Sequence, residues 1–267
     1  MDIKNKVILI TGGSSGIGKA AAMELAKGGG TIILQARSVE KLKSAAEEIA
    51  LINENVSYYA TDLTDSNAVK AAASLIVEEV GLPDVIINSA GSGEWLSLNE
   101  SSVEHYKDTM DSPYLATAFT CKVFYDKMRD RGHGHFIIIN SAASYFSFPG
   151  ATGYTPARWA MLGLSRSLQA DLYYTDFNVS IIAFGKVDSP YFTSNPVSED
   201  RIPKIADWLI PTMSVEATGK VIAKTVQSQK KIIIKPFSLR VLVFLNIFMP
   251  GTFRWLMRIT GHKPSKN

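Results

Sequence analysis

A single cysteine, Cys121, stands in 267 residues. No disulfide can therefore close within the chain and no thiolate cluster can hold a metal, which suits a reducing compartment. Cys121 falls in a helical stretch, where it reads as packing. There is no Pro/Gly/Ser-rich linker, no block of like charge, no internal repeat and no low-complexity tract. The net charge is only +3 and no run of Lys or Arg follows a groove, which argues against a nucleic-acid partner. A bilayer-spanning run is missing as well. Val241 to Phe253 is thirteen uncharged residues interrupted by Pro250-Gly251, short of the roughly 20 that a spanning helix needs. The apolar Val7–Ile10 has charged residues ahead and a glycine-rich turn behind, so it reads as a strand and not as a signal sequence. With 46% hydrophobic and 20% charged residues, the chain has ample material for a core. Its body is expected to be cytoplasmic or at the cytosolic face of a membrane.

Short β-branched runs alternate with helix-length segments. Val7–Ile10, Thr31–Gln35, Val56–Ala60, Asp84–Asn88, His135–Asn140, Val179–Ala183 and Lys231–Lys235 read as seven strands. Helical period marks Gly16–Gly28, Val39–Ile52, Asn67–Val80, Val103–Arg131, Tyr154–Tyr174 and Val215–Gln229; in the second of these Leu42, Ala45, Ala46, Ile49 and Ile52 share one face. Strand–helix alternation at this spacing predicts right-handed βαβ units, hence a doubly wound α/β fold with a seven-stranded parallel sheet covered on both faces. One domain is expected over residues 1–236, followed by an apolar and basic C-terminal segment, 237–267.

The first strand runs into Thr11-Gly-Gly-Ser-Ser-Gly-Ile-Gly18. Gly12, Gly16 and Gly18, with Ser14, Ser15 and Ile17 between them, allow a tight turn. Backbone N–H groups can then approach a pyrophosphate at the N-terminus of the next helix. Strand two ends at Ala36, where an acid would bond a ribose 2′-hydroxyl. Arg37 follows, with Lys41 four residues on, and both cations are expected on one side of the first helical turn, ready for a 2′-phosphate. NADP(H) is therefore expected over NAD(H). Asp62 and Leu63, just past strand three, suit the adenine amino group and ring. Asn88-Ser-Ala-Gly91, which includes Ala90, is placed to pass under the cofactor.

These motifs, with Ser141 and Tyr154 thirteen residues apart after the fifth strand, resemble the short-chain dehydrogenase/reductase superfamily over essentially the whole chain. Within it the glycine signature, the Arg37/Lys41 pair and Pro113-Tyr-Leu115 look most like the membrane-associated lipid reductases of the 3-ketodihydrosphingosine reductase type. The resemblance implies that Tyr154 is the acid/base and that Ser141 bonds the same substrate oxygen. It also implies that Gly185, Val187 and Ser189 approach the nicotinamide amide. An isolated phenol holds its proton far above neutral pH, so it needs a neighbouring cation. Arg158, one helical turn after Tyr154, stands where the family has a lysine; at roughly 5–6 Å and an effective dielectric of about 20 its charge stabilises a phenolate by about 3 kcal/mol. An arginine cannot pass a proton along a relay, so slower turnover or another proton path is expected. Two further departures are Pro113 for an asparagine, where proline itself kinks a helix, and Phe184-Gly185 for Pro-Gly.

His133 and His135 alternate with glycines before strand five. No acid or cysteine lies at ligand spacing, so they read as a solvated turn and no metal is expected. Tyr145, Phe146 and Phe148 fit a substrate wall or the core equally. The resemblance implies that Ser189–Pro211, rich in apolar residues such as Tyr191, Ile202 and Trp208, is the family's mobile substrate lid, and its apolar character suggests a hydrophobic substrate. Residues 239–259, bracketed by Arg240, Arg254 and Arg258, suit membrane-surface contact. A terminal helix pair packed on the sheet or at a subunit interface has about equal weight, and the resemblance implies a homo-oligomer. The sequence thus predicts an NADPH-dependent oxidoreductase acting on a ketone or aldehyde of a hydrophobic molecule. The alternative is a catalytically impaired NADP(H)-binding regulator or scaffold of the same fold.

Overall fold

The structure is a computed structural model that describes residues 1–263; the last four residues of the expected C-terminal segment, 264–267, lie outside them. The chain order is β1 (Val7–Thr11), α1 (Gly16–Lys27), β2 (Thr31–Ala36), α2 (Val39–Ala50), β3 (Val56–Ala60), α3 (Ser66–Glu79), β4 (Val85–Asn88), α4 (Val103–Met110) and α5 (Ala116–Met128). It continues with β5 (His133–Ser141), α6 (Tyr154–Asp171), β6 (Asp176–Phe184), β7 (Val187–Asp188), α7 (Pro190–Ser194), α8 (Pro196–Glu199), α9 (Lys204–Leu209), β8 (Met213–Ser214) and α10 (Val215–Ser228). The last elements are β9 (Ile232–Lys235), α11 (Phe237–Phe248) and α12 (Pro250–Thr260).

Seven strands form one parallel sheet in the order β3-β2-β1-β4-β5-β6-β9; β7 and β8 pair separately. All seven expected strands are present and every pairing in the sheet is parallel. Side chains alternate between its faces, as a pleated strand requires. Ile8, Ile10, Ile32, Leu34, Ile87 and Ile137 pack with α1, α2 and α10 through Ala21, Leu25, Leu42, Ile49 and Ile222. On the other face Leu9, Ile33, Ile86, Phe136 and Ile138 meet Ala73, Ile76, Phe124 and Met161. Gly219 lets α10 approach α1 closely: a Cβ there would come 2.5 Å from the Ala20 carbonyl oxygen.

Side-chain caps start several of these helices. Ser38, Asp65, Ser102 and Ser214 accept backbone N–H bonds at the heads of α2, α3, α4 and α10, each worth about 1 kcal/mol. The helical stretch expected over 103–131 is present without a gap, and its ladder changes register along the way: α4, a π-helical turn at Asp111–Leu115, α5 and a terminal 3₁₀ turn. Pro113 lies in the π-turn; with no N–H to donate, it cannot continue an α-helical ladder. The solvated turn expected at His133 and His135 is corrected. β5 already begins at His133, and His135 is fully buried with Nε2 2.8 Å from Ser180 Oγ. Burial pulls its pKa down to about 4, so it is a neutral core residue.

A third cluster lies beyond the sheet. Leu239 and Val243 of α11 and Phe253 and Met257 of α12 pack against Phe146 and Ile210. Leu239 is wholly buried, and removing its side chain leaves a cavity that the rigid strand ends cannot fill. Leu239→Ala is expected to lower unfolding stability by about 2–5 kcal/mol, read as a shifted denaturation midpoint at unchanged slope.

Candidate active site

Because β1 and β4 are neighbours while their connections leave in opposite directions, a crevice opens at the C-terminal ends of the strands, where open α/β sheets bind ligands. Here it is a cleft of about 950 Å³. One end is built by the glycine turn. Gly12 and Gly16 sit at positive φ (66° and 52°), and a Cβ on Gly12 would come 2.9 Å from the Ala90 backbone. A Cβ on Gly18 would run into the Gly12 carbonyl oxygen, so α1 can pack this close to the turn only with glycine there. Ser15, the N-cap of α1, makes no side-chain capping bond, which leaves first-turn N–H groups free to meet an anion. Ser14, Ser15, Gly16, Ile17 and Gly18 all line the cleft.

Arg37, Lys41, Asp62 and Leu63 line the same end. The expected placement of both cations in one helical turn is corrected. Ser38 is the N-cap of α2, accepting from Lys41 N–H at 3.3 Å, so Arg37 precedes the helix and only Lys41 is inside it. Both nevertheless face the cleft and neither has an ion pair among the described residues. The Asp62 carboxyl is held below its usual range chiefly by the Thr64 N–H and hydroxyl, with a smaller pull from Arg37. Thr11 Oγ1 accepts from the Ser89 and Ala90 N–H groups, both at 3.2 Å, and so pins the strand that carries Ala90 and Gly91 against the glycine turn. Ala90 and Gly91 line the cleft. Asn88 does not. It is 1% exposed, directed to Cys121 Sγ at 3.5 Å. Burial pushes the Cys121 thiol up to about 12, which makes it inert packing.

In the middle of the cleft stand Ser141, Tyr154 and Arg158. Tyr154 and Arg158 share the first turns of α6, and the guanidinium carbon lies 4.8 Å from the phenol ring centroid. A cation over the ring face is attracted to the neutral ring and more strongly to a phenolate whose charge spreads into it. Arg158 is only 8% exposed. Its Nη1 meets just the Met161 sulfur at 3.6 Å, and its Nε has no partner. It has no ion pair among the described residues. Nη2 sits where a Cβ on Gly91 would come within 3.2 Å, and Pro113 closes the same spot. Ser141 Oγ accepts from Ala143 N–H at 3.2 Å, and its own proton has no acceptor among the described residues. Gly185, Val187 and Ser189 line the adjoining wall. Phe184 is buried in the core.

Several residues of this site were not read from the sequence. Asn140, 4% exposed, donates from Nδ2 to the Arg158 carbonyl at 3.1 Å and accepts the Ser141 N–H at 2.8 Å. It thereby ties the end of β5 to α6. The only local signal is a polar residue ending the apolar run Phe136–Ile139. Trp95 stacks 5.2 Å from Tyr154 and 4.9 Å from Phe148. Its Nε1 donates to Tyr191 Oη at 2.9 Å, and Tyr191 in turn donates to the Gly93 carbonyl. Burial, reinforced by Tyr154 and opposed by Arg158, raises the Tyr191 pKa, so that phenol remains a donor.

The segment 189–211, expected to be a lid, carries α7, α8 and α9, and polar contacts hold it down. Trp95 N–H donates to Ser198 Oγ at 2.9 Å. Arg201, 5% exposed, grips Glu100 through two bonds of 2.6 and 2.8 Å. Arg201, then Ser97, holds the Glu100 carboxyl down to about 2.

The constellation defines a Rossmann-like α/β protein with a tyrosine–cation pair in a cleft at the strand ends. The chain belongs to the short-chain dehydrogenase family, whose model matches residues 6–200. An uncharacterised oxidoreductase of Mycobacterium bovis is 32% identical over 208 residues, 76% of this chain and 61% of the relative, so the match covers less than two thirds of that protein's length. The 3-dehydrosphinganine reductase of Danio rerio is 28% identical over 222 residues, 81% of this chain and 67% of the relative. Among solved structures, an alcohol dehydrogenase from the archaeon Thermococcus sibiricus complexed with 5-hydroxy-NADP aligns with a TM-score of 0.74 at 26% identity, covering 86% of this chain and 95% of that one.

Two outcomes test this geometry. Asn140→Ala removes the side-chain bonds to the Arg158 carbonyl and from the Ser141 N–H; it is expected to cost about 1–3 kcal/mol of stability in chemical denaturation. A carboxyl with a depressed pKa stabilises the fold above its ordinary value and loses that contribution as pH falls. The Glu100 clamp on the lid should therefore hold above about pH 4.5 and release between there and about pH 2. Tryptophan fluorescence should report the release, and Glu100→Gln should lack that transition.

Proposed function

We propose that this protein is an NADPH-dependent oxidoreductase that reduces a ketone or aldehyde on a hydrophobic, lipid-like substrate. The observation that carries the reading is Arg158: a buried guanidinium, unpaired, with spare donors, held over the Tyr154 ring inside a dinucleotide cleft. Burying an unpaired charge costs several kcal/mol, and such a site is retained where the charge acts on a ligand or a reacting group. The cofactor fits the residues. Gly12, Gly16, Gly18 and the uncapped α1 terminus suit the pyrophosphate, and Arg37 and Lys41 suit a 2′-phosphate. Arg158 and Gly91 would face the ribose on the nicotinamide side. When bound, NADPH supplies the hydride.

The chain's own residues would supply the rest. Ser141 donates a hydrogen bond from its free hydroxyl to the substrate oxygen, keeping its own proton, and fixes the oxygen's position. Tyr154 gives the phenolic proton to that oxygen as negative charge develops there. Arg158 stabilises the phenolate left behind and, being an arginine, does not relay a proton. Trp95, Phe148 and Phe192 wall the space beside Tyr154, and an aromatic box of this kind suits an apolar substrate. The zebrafish relative's name, a reductase of 3-dehydrosphinganine, and the NADP analogue in the archaeal structure support the same direction. A homo-oligomer and a location in the cytoplasm or at the cytosolic face of a membrane belong to this proposal.

The test is a titration followed by turnover. NADPH is expected to bind at least about tenfold more tightly than NADH, and Arg37→Ala with Lys41→Ala should remove most of that difference, about 1.4 kcal/mol per tenfold. Tyr154→Phe should keep NADPH binding and lose turnover of long-chain ketones. If no long-chain carbonyl is reduced and Tyr154→Phe changes nothing, the protein is a nucleotide-binding scaffold instead.

A further inference from the structure

α11 is apolar over most of its circumference, with only Ser238, Arg240 and Asn246 polar, although only one of its sides is covered. Leu239 and Val243 face inward and Leu242 lines the cleft. Phe244, Ile247 and Phe248 point outward, 57%, 69% and 68% exposed, and the two phenylalanines pair at 5.2 Å. α12 repeats the pattern, with Met257 on the cleft wall and Trp255 and Ile259 about half exposed. A surface helix ordinarily turns polar residues outward, and a contiguous exposed apolar face marks an interaction surface. Neither helix is long and apolar enough to cross a membrane.

Charge selects the occupant. From Ala217 to Asn267 the chain has ten Lys or Arg and no Asp or Glu; all 25 acids precede that point. Arg240, Arg254 and Arg258 are exposed on these two helices and have no ion pair among the described residues. A second copy packed face to face about a two-fold axis would bring this cationic surface against itself. An anionic bilayer offers what the face lacks, acyl chains for the phenylalanines and headgroup charge for the arginines, with Trp255 at the level where indoles settle.

We infer that α11 and α12 seat the protein in the interfacial layer of an anionic membrane, lying in its plane. Because Leu242 and Met257 of the same two helices line the cleft, docking brings that wall of the cleft up to the lipid. A membrane-dissolved substrate can then enter without crossing water. That route rests on the function proposed above; the docking does not.

The experiment is sedimentation with vesicles of phosphatidylcholine, alone or with about a quarter phosphatidylserine. Each arginine near such a surface is worth about fivefold in partitioning. The protein is expected to bind the serine-containing vesicles at least about tenfold better than neutral ones, with the difference shrinking as salt is raised. Phe244→Glu with Phe248→Glu should lose binding to both; Arg254→Glu with Arg258→Glu should lose the preference for anionic lipid. Thermal melts and NADPH titration should be unchanged, because all four side chains lie outside the cleft. Equal binding by the parent and both variants overturns the inference. So does finding, without vesicles, a dimer that the phenylalanine variant dissociates. Vesicle binding without any NADPH turnover leaves the docking standing and removes the enzymatic proposal; turnover without vesicle binding does the reverse.

Discussion

A positive charge is kept against a phenol ring with no ion-pair partner among the described residues, and much of the site is arranged to hold it there. Arg158 lies 4.8 Å from the Tyr154 centroid, with glycine and proline against its outer nitrogen. A Cβ on Gly91 would come 3.2 Å from both the guanidinium Nη2 and the Pro113 Cβ, a tight fit that would make one of them shift. Pro113 supplies an apolar surface at the same place, and the π-turn absorbs its missing N–H. Asn140 fixes the backbone from which Arg158 projects. Two departures from the family pattern, at 113 and 158, are thus in contact with one glycine and form one structural unit. Phe184 is separate, a fully buried residue at the end of β6.

The hydrophobic side of the cleft is held by polar bonds. Trp95 is the hub: its backbone bonds the lid at Ser198, its indole bonds Tyr191, and its ring packs on Tyr154 and Phe148. Arg201 and Glu100 add a two-pronged clamp between the lid and the loop after β4. Bonds of this kind are directional, so they fix where aromatic surfaces lie without filling the space between them. The apolar helices α11 and α12 then close the side opposite Trp95's loop with Leu242 and Met257. A cleft walled by a lid and a terminal helix pair can change its substrate while the sheet beneath stays the same.

Seven strands, the glycine turn and the Ser141–Tyr154–Arg158 set were legible because each is a local pattern: period two, a turn that needs positive φ, a one-turn helical spacing. Tyr154 and Arg158 meet for the simple reason that residues four apart share a helix face. The irregularity at Pro113 was half legible. Proline announced a departure from the α-helical ladder, whereas its form, a π-helical turn inside one continuous helical run, has no local sequence signal. His135 was misread because glycine neighbours look like a turn, while the parallel pairing of β5 with β6 extends the strand across them.

Fold class, the order of the strands along the chain, the nucleotide turn and the pairing of phenol with cation were determined by sequence alone, since short-range sterics and periodicity are enough to produce them. Only the tertiary structure decided that Asn140 braces Arg158, that Trp95 meets Tyr191 from 96 residues away and that Arg201 reaches Glu100 across 101. It also decided that Asn88 turns away from the cleft and that α11 leaves one apolar side uncovered. Contacts between distant segments have no sequence period; they exist only once the crossovers have set the sheet order and brought the strand ends together.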